Sequence, residues 1–328
     1  MTGGTSGNHG KLSVLVLGGG PDAEREVSLK SSATVAAALQ EHGCVVNRQI
    51  IDKPTASELA AMPGDVVFPV LHGGWGEGGP LQDILEQGSR PYVGCRPNAA
   101  RMAMDKMATK LAAARCGVLT ADAAVLNPRD PGCPLSFPVV VKPVHEGSSV
   151  GVHFCRDSGE YGVAFAKVLA DMHAHPGRLY MIERAVIGAR ELTVGVLDGE
   201  ALPIIEITAA VAFYDYEAKY NRNDTRYQVK PNLPAGLELS IQDRAVRLAR
   251  EIGVRHLCRV DFLLDAQGSA WLLELNTLPG FTDHSLFPMA ARATGLETPA
   301  LCGRLVDLAV RDGAPRPTHS VPAVVGQQ

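Results

Sequence analysis

Residues 11–17, KLSVLVL, read as one mainly apolar strand, halted by Gly18, Gly19, Gly20, Pro21 and Asp22. A short apolar run between turn signals predicts a strand buried on both faces. Helical spacing follows to about residue 40, and residues 45–51 and 65–71 predict further strands, with a helix near 81–86. This strand–helix alternation predicts a parallel sheet with helices on its faces, a small Rossmann-like unit reaching about residue 95. Downstream, residues 98–116 read as one helix, and PVVVKP at 138–143 as a buried strand. Residues 180–187 and 188–197 read as strands, 239–253 as an amphipathic helix, and 299–310 as a last helix. Residues 213–227, FYDYEAKYNRNDTRY, have no clean period and crowd aromatic residues with lysine and arginine. They fit either a flexible polar loop or a lid over an active site.

The pattern carries most chemistry at residues 259–280, RVDFLLDAQGSAWLLELNTLPG. Two alternating runs flank a four-residue turn, Ala266 to Ser269, which predicts a hairpin. Strand side chains alternate faces. If Asp265 faces Ala270, Asp261 lies opposite Glu274 and Arg259 opposite Asn276, while Val260, Phe262, Leu273 and Leu275 take the other face. Opposed carboxylates repel unless positive charge sits between them. Asp, Glu and Asn oxygens are hard ligands of the kind Mg²⁺ uses together with substrate phosphates. A solvated edge hairpin with an Arg259–Asp261 ion pair is the blander alternative.

Composition narrows the classes. A chain of 328 residues implies two or three domains, and 46% hydrophobic with 20% charged residues describes a globular protein. Net charge −4 and pI near 6.2 give no electrostatic footprint for nucleic acid or an anionic membrane surface. No apolar run approaches the ~20 residues that span a bilayer. Residues 1–10 read as a disordered lead and not a signal peptide, and the Pro-rich tail from Gly313 as frayed. Seven scattered cysteines without a CxxC pair fit reduced thiols in a cytoplasm.

Gly18-x-Gly20-x-x-Ala23 matches a dinucleotide fingerprint, with Asp52 ending the second strand. Asp22 and Glu24 argue against it, since they would set carboxylates where a pyrophosphate meets the helix N-terminus. Glu24 there suits an ammonium, or is simply favourable charge in a first helical turn. His72, opening HGGWGEGG, follows a parallel strand at the sheet end where such folds bind ligands. Lys142 lies in an apolar strand and needs a partner, because a buried ammonium is costly. Glu146-Gly147-Ser148-Ser149-Val150-Gly151 follows and could present backbone N–H groups to an anion, or be an ordinary turn. Lys106 alone reads as a solvated lysine. Together, lysine, loop and hairpin face make a nucleoside triphosphate site.

AEREVS (23–28), HGGWGEGG (72–79), MDK (104–106), VVKP (140–143) and EGSSVG (146–151) are followed by FYDYEAKY (213–220), RVDF (259–262), LLELNTLPG (272–280) and HSLFP (284–288). In this order they resemble the D-alanine–D-alanine ligase family of ATP-grasp enzymes, from about residue 11 to 308. The resemblance implies an α+β chain: a Rossmann-like N-terminal substrate domain at 1–96, a central ATP-grasp lobe at 97–183 and a C-terminal lobe at 184–328. It implies ATP-dependent joining of two D-alanines through an acyl phosphate, for peptidoglycan precursors, in a cytoplasmic homodimer without nucleic-acid or membrane partners. Asp261, Glu274 and Asn276 would hold two Mg²⁺ ions, with Mn²⁺ a possible substitute. Lys106, Lys142 and Lys219 would meet the ATP phosphates, with Gly147 and Ser149 in the phosphate loop. Glu183 would lie at the adenine and Glu191 on the ribose. Arg259 and the Gly280 backbone would face the oxyanion. Glu24, linked to Ser148 and Tyr220, would hold the first D-alanine's ammonium. His72 would lie near its carboxylate, and Ser285 with Leu286 would take the second's. Pro21-Asp22 stands where many members carry a hydroxyl residue. The rivals are a D-alanyl-D-lactate ligase, a non-catalytic nucleotide-binding regulator, and a nicotinamide-dependent oxidoreductase.

Overall fold

β1 (Ser13–Gly19) lies between β2 (Val45–Ile51) and β3 (Val66–Pro69) in a parallel sheet. Its apolar run is continuous because both faces are covered. Val14 and Val16 share a core with Val35 and Leu39 of α1 (Arg25–His42). Leu15 and Leu17 pack on the other face with Leu59 of α2 (Ala56–Ala61). Beyond α3 (Gly73–Gly76), a single turn after β3, Leu81 and Leu85 of α4 (Pro80–Glu86) complete that layer. In this computed structural model residues 12–147, 150–208 and 225–315 are described. The expected N-terminal lead, most of the tail, Ser148, Ser149, Lys219 and Tyr220 lie outside them.

Where one helix was expected over 98–116 there are two, α5 (Pro97–Met104) and α6 (Lys106–Arg115). Asp105 makes the break. It is extended, and its Oδ1 accepts from Met107 N at 2.8 Å and Ala108 N at 3.0 Å, capping α6. The break places Lys106 in the first turn of α6, beside Glu146.

A second sheet runs in the order β4–β7–β5–β6, from β4 (Ala123–Val125), β5 (Val139–Pro143), β6 (His153–Cys155) and β7 (Tyr180–Arg184). Val139, Val141 and Ile182 bury against Tyr161, Phe165 and Val168 of α7 (Ser158–Ala174). The third sheet is antiparallel. It contains β8 (Arg190–Leu197), β9 (Glu200–Ala201), β10 (Ile205–Thr208), β11 (Arg226–Val229), β12 (Leu257–Leu264) and β13 (Ala270–Asn276). Its main order is β11–β10–β8–β12–β13, with β9 paired to β8. α8 (Leu237–Ile252) buries Ile241, Ala245, Leu248 and Ile252, one helical stripe, against Val194, Val260 and Phe262.

The aperiodic stretch at 213–227 is therefore not all loop. Residues 209–224 lie outside the described residues, but Arg226 and Tyr227 pair with Thr208 and Ile207 as the start of β11. After α9 (Leu286–Arg292), the last helix, α10 (Thr298–Asp312), returns to α1, where His42 covers Gly303. This contact joins the chain's first and last described helices. All seven cysteines are free thiols. Among the described residues no helix is long and apolar enough to cross a membrane.

Candidate active site

The β12–β13 hairpin sets one wall. Asp265 organises its turn, with Oδ1 accepting from Gln267 N (3.0 Å) and Ser269 N (2.8 Å) and Oδ2 from Trp271 Nε1 (2.7 Å). The assumed register at the turn is off by one residue: Leu264, not Asp265, faces Ala270. A bulge at Leu273 restores the step, so Asp261 does oppose Glu274 and Arg259 does oppose Asn276. The bulge also overturns the expectation that Leu273 points away, since Leu273 lines the cleft beside Glu274.

Arg259 and Asp261 are 8% and 3% exposed, so their ion pair is buried rather than a solvated surface pair. It is bidentate: Nε donates to Oδ1 at 2.9 Å and Nη2 to Oδ2 at 2.8 Å. Thr193 Oγ1 of β8 donates to the same Oδ1 at 2.5 Å. Asn276 Nδ2 lies 3.3 Å from Asp261 Oδ2 and 3.5 Å from Glu274 Oε1. Arg259 and Asn276 thus supply the positive edge that two opposed carboxylates need. The donor set is oxygen-rich, and among the described residues no group of three or more His, Cys, Asp or Glu forms a metal cage. Two carboxylates and an amide fit a hard divalent ion that takes its remaining ligands from substrate phosphate and water.

Facing the hairpin across a cleft of about 580 Å³ are Lys106, Lys142, Glu183 and Gly147, with residues 185–189 at one side. Glu191 of β8 lines it too. Lys106 donates to the carbonyl oxygen of Glu146, fastening α6 to the stretch after β5. Burial holds its ammonium below the ordinary lysine range, with the Glu274 carboxylate opposing that shift. Lys142 finds the partner its apolar strand demanded in Glu183 Oε2, at 2.5 Å. The other carboxylate oxygen of Glu183 pairs with Lys110, one turn along α6 from Lys106. Burial pushes the Glu183 carboxyl up, but Lys142 and Lys110 outweigh it and hold it below the usual range.

The far end is built by the parallel sheet. Glu24 sits at the start of α1, and its Oε2 would be 3.6 Å from a Cβ on Gly147, which brings it to the anion loop. Asp52 does not stand free as a ribose ligand would, because Arg25 pairs with it. Asp22 Oδ2 accepts from Trp75 N at 2.9 Å, anchoring the turn after His72. Gly73, at φ +82°, presses on Asp22, and a Cβ would come within 2.5 Å of that side chain. His72 itself is 7% exposed.

The loop after β13 is held on both sides of Gly280 by that same N-terminal unit. Leu278 N donates to Glu77 Oε2 at 3.2 Å, and Phe281 N donates to Ser31 Oγ at 3.1 Å. Burial, and next the Glu24 carboxylate, push Glu77 up to about 8. A Cβ at Gly280 would lie 2.9 Å from Ser285 Oγ, so a side chain there would displace that hydroxyl. That oxygen accepts from Thr282 N at 2.8 Å, and Leu286 opens α9 beside it.

Sequence reasoning missed Lys110, Ser31, Glu77 and Thr193. Ser31 had a signal: Glu24, Ser28 and Ser31 follow helical spacing on one face of α1. Lys110 had little, since a second lysine one turn after Lys106 looks like solvated helix surface.

A family model described as the D-ala D-ala ligase C-terminus matches residues 122–307. A D-alanine–D-alanine ligase of Dechloromonas aromatica is 43% identical over 310 residues, covering 93% of this chain and 99% of that protein. One from Anaeromyxobacter sp. (strain K) is 41% identical over 300 residues, covering 90% and 96%. The crystal structure of D-alanine–D-alanine ligase from Bacillus anthracis complexed with ATP superposes with TM-score 0.78 at 28% identity, covering 93% of this chain and 98% of that one.

Proposed function

The chain belongs to the D-alanine–D-alanine ligase family, and from that premise we propose how its residues divide the work. It is an ATP-dependent ligase of the ATP-grasp type that joins two D-alanines for peptidoglycan precursor synthesis. The observation that carries the residue assignment is the one cleft in which Lys106 of α6 and Lys142 of the second sheet face the carboxylate edge of the third.

In this reading the triphosphate meets Lys106, Lys142, Gly147 and Ser149, and the family resemblance adds Lys219, which like Ser149 is outside the described residues. The base rests against residues 185–189 near Glu183, and the ribose near Glu191. Asp261, Glu274 and Asn276 would hold two Mg²⁺ ions, with Mn²⁺ able to substitute, and such ions would supply positive charge against the phosphates. The first D-alanine's ammonium pairs with Glu24, which the family resemblance links to Ser148 and Tyr220, and its carboxylate lies near His72. That carboxylate attacks the γ-phosphorus and ADP leaves. The second D-alanine, its carboxylate at Ser285 and Leu286, is positioned so that its amine attacks the acyl carbon, loses a proton and expels phosphate. Arg259 and the Gly280 N–H face the oxygen that gains charge in that step.

The three sheets support division into lobes at 1–96, 97–183 and 184–328. A cytoplasmic homodimer acting without nucleic acid or membrane completes the proposal. Purified protein incubated with ATP, Mg²⁺ and D-alanine should yield equal ADP and dipeptide by mass. ADP without dipeptide would reject the ligase assignment.

A further inference from the structure

Behind Glu183 of the cleft lies a lysine that no part of this scheme uses. Lys110 is 7% exposed, and its three N–H donors have three acceptors: Thr120 Oγ1 at 2.5 Å, Ala121 O at 2.9 Å and Glu183 Oε1. It therefore has no donor left for a ligand. Lys142, by contrast, lines the cleft, and Glu183 is its hydrogen-bond partner among the described residues. Two ammoniums share one carboxylate, so the buried group carries one net positive charge.

We propose that Lys110 is a positioning residue that holds Glu183 so that Lys142 can transfer its hydrogen bonds to the nucleotide's phosphates. This rests on the nucleotide reading above and deepens it. Moving Lys142 from Glu183 to a phosphate would strand a buried carboxylate if Lys142 were its sole partner, and a stranded buried charge is strongly unfavourable. Lys110 remains on Glu183 and removes that penalty. Its location fits a fixed post. Thr120, which it grips, bridges to Leu272 of the metal hairpin, and Leu272 N donates to Leu119 O at 2.8 Å. Lys110 thus ties the carboxylate to a segment whose place is set by β13.

The inference makes an unusual prediction about sign. In Lys110→Met, Glu183 should capture Lys142, weakening binding of a non-hydrolysable ATP analogue at least about tenfold by calorimetry. Adding Glu183→Gln to that variant should release Lys142 and recover most of the loss. Glu183→Gln alone and the double variant should bind equally, because Lys110 has no task once residue 183 is neutral. That last comparison stands even if Lys110→Met alone does not fold. A residue acting only through packing would not show recovery by a second lesion, and a lysine touching the nucleotide would leave the double variant weaker than Glu183→Gln. Either of those results, or undiminished binding by folded Lys110→Met, would overturn the proposal. Wild-type protein that bound no analogue would overturn the nucleotide reading as well.

Discussion

His256 offers a stability prediction with a definite sign. It is 2% exposed, and its backbone is left-handed at φ +64°. Gly94 N donates to Nδ1 at 3.0 Å, which leaves the proton on Nε2, 3.1 Å from Asp312 Oδ2. A second proton would break the Gly94 bond and place charge beside Arg255, whose Nε binds Gly94 O at 2.7 Å. Burial first, then Arg255, hold the imidazole down to about 4, with Asp312 opposing and Arg311 assisting. Between that value and the unfolded value of about 6.5 the unfolded chain binds more protons. The stability His256 contributes is therefore complete above about pH 6.5 and is lost as pH falls through about 4. A shift of that size corresponds to about 3 kcal/mol, a large share of the ~5–15 kcal/mol typical of a domain.

The perturbation is His256→Asn, because Asn tolerates φ > 0 and does not titrate. At pH 7.5 the variant should be about 1–2 kcal/mol less stable in urea, having lost a buried hydrogen bond. By pH 4.5 the deficit should vanish or reverse, since other carboxylates titrate alike in both proteins. A deficit that stays constant from pH 7.5 to 4.5 would refute the argument.

Glu274→Gln should lower ADP formation at least ~100-fold in a folded protein, since an amide cannot supply the charge a divalent ion requires; near-normal turnover would exclude Glu274 as a ligand. Glu24→Ala should raise the KM for D-alanine far more than that for ATP, measured by coupled ADP release with each substrate varied. Ser31→Ala leaves Phe281 N without its buried acceptor, a loss of about 1–3 kcal/mol; kcat should fall while the KM for ATP holds, and an unchanged kcat would mean the loop at Gly280 does not depend on this tether.

What the sequence made legible follows the physics of alternation. The run at 11–17 announced a doubly covered strand, and the polar face of 259–276 announced the opposition of Asp261 and Glu274. The bulge was not legible, because Leu273 suits either a buried back face or the apolar wall of a cleft. The break at Asp105 carried a signal, an N-cap residue inside a helical stretch, that the surrounding periodicity masked. α9 is seven residues long with a proline inside it, too short for a periodic reading. β11 hid in a basic, aromatic run because Arg226–Val229 alternates only over four residues. Lys110, Ser31 and Glu77 share a different obscurity. Each acts on a partner distant in sequence, and even the spacing that sets Ser31 on the face of Glu24 does not report which partner it will meet.

The site's charges explain how so polar a cleft survives folding. An unpartnered buried ion would cost several kcal/mol, yet Lys106, Lys142, Arg259 and Asp261 all lie at the cleft. Each has a protein partner in this structure: Lys106 the Glu146 carbonyl, Lys142 the Glu183 carboxylate, and Arg259 and Asp261 one another. In the proposed scheme, binding ATP and metal is then an exchange of partners rather than the first neutralisation of bare charge, so affinity measures the difference between two satisfied states. The exchange requires that whatever each cation leaves behind stays satisfied. Thr193 and Asn276 already bond to Asp261, as Lys110 does to Glu183. Residues one step removed from the ligands should therefore change affinity by amounts that their distance from the chemistry does not suggest.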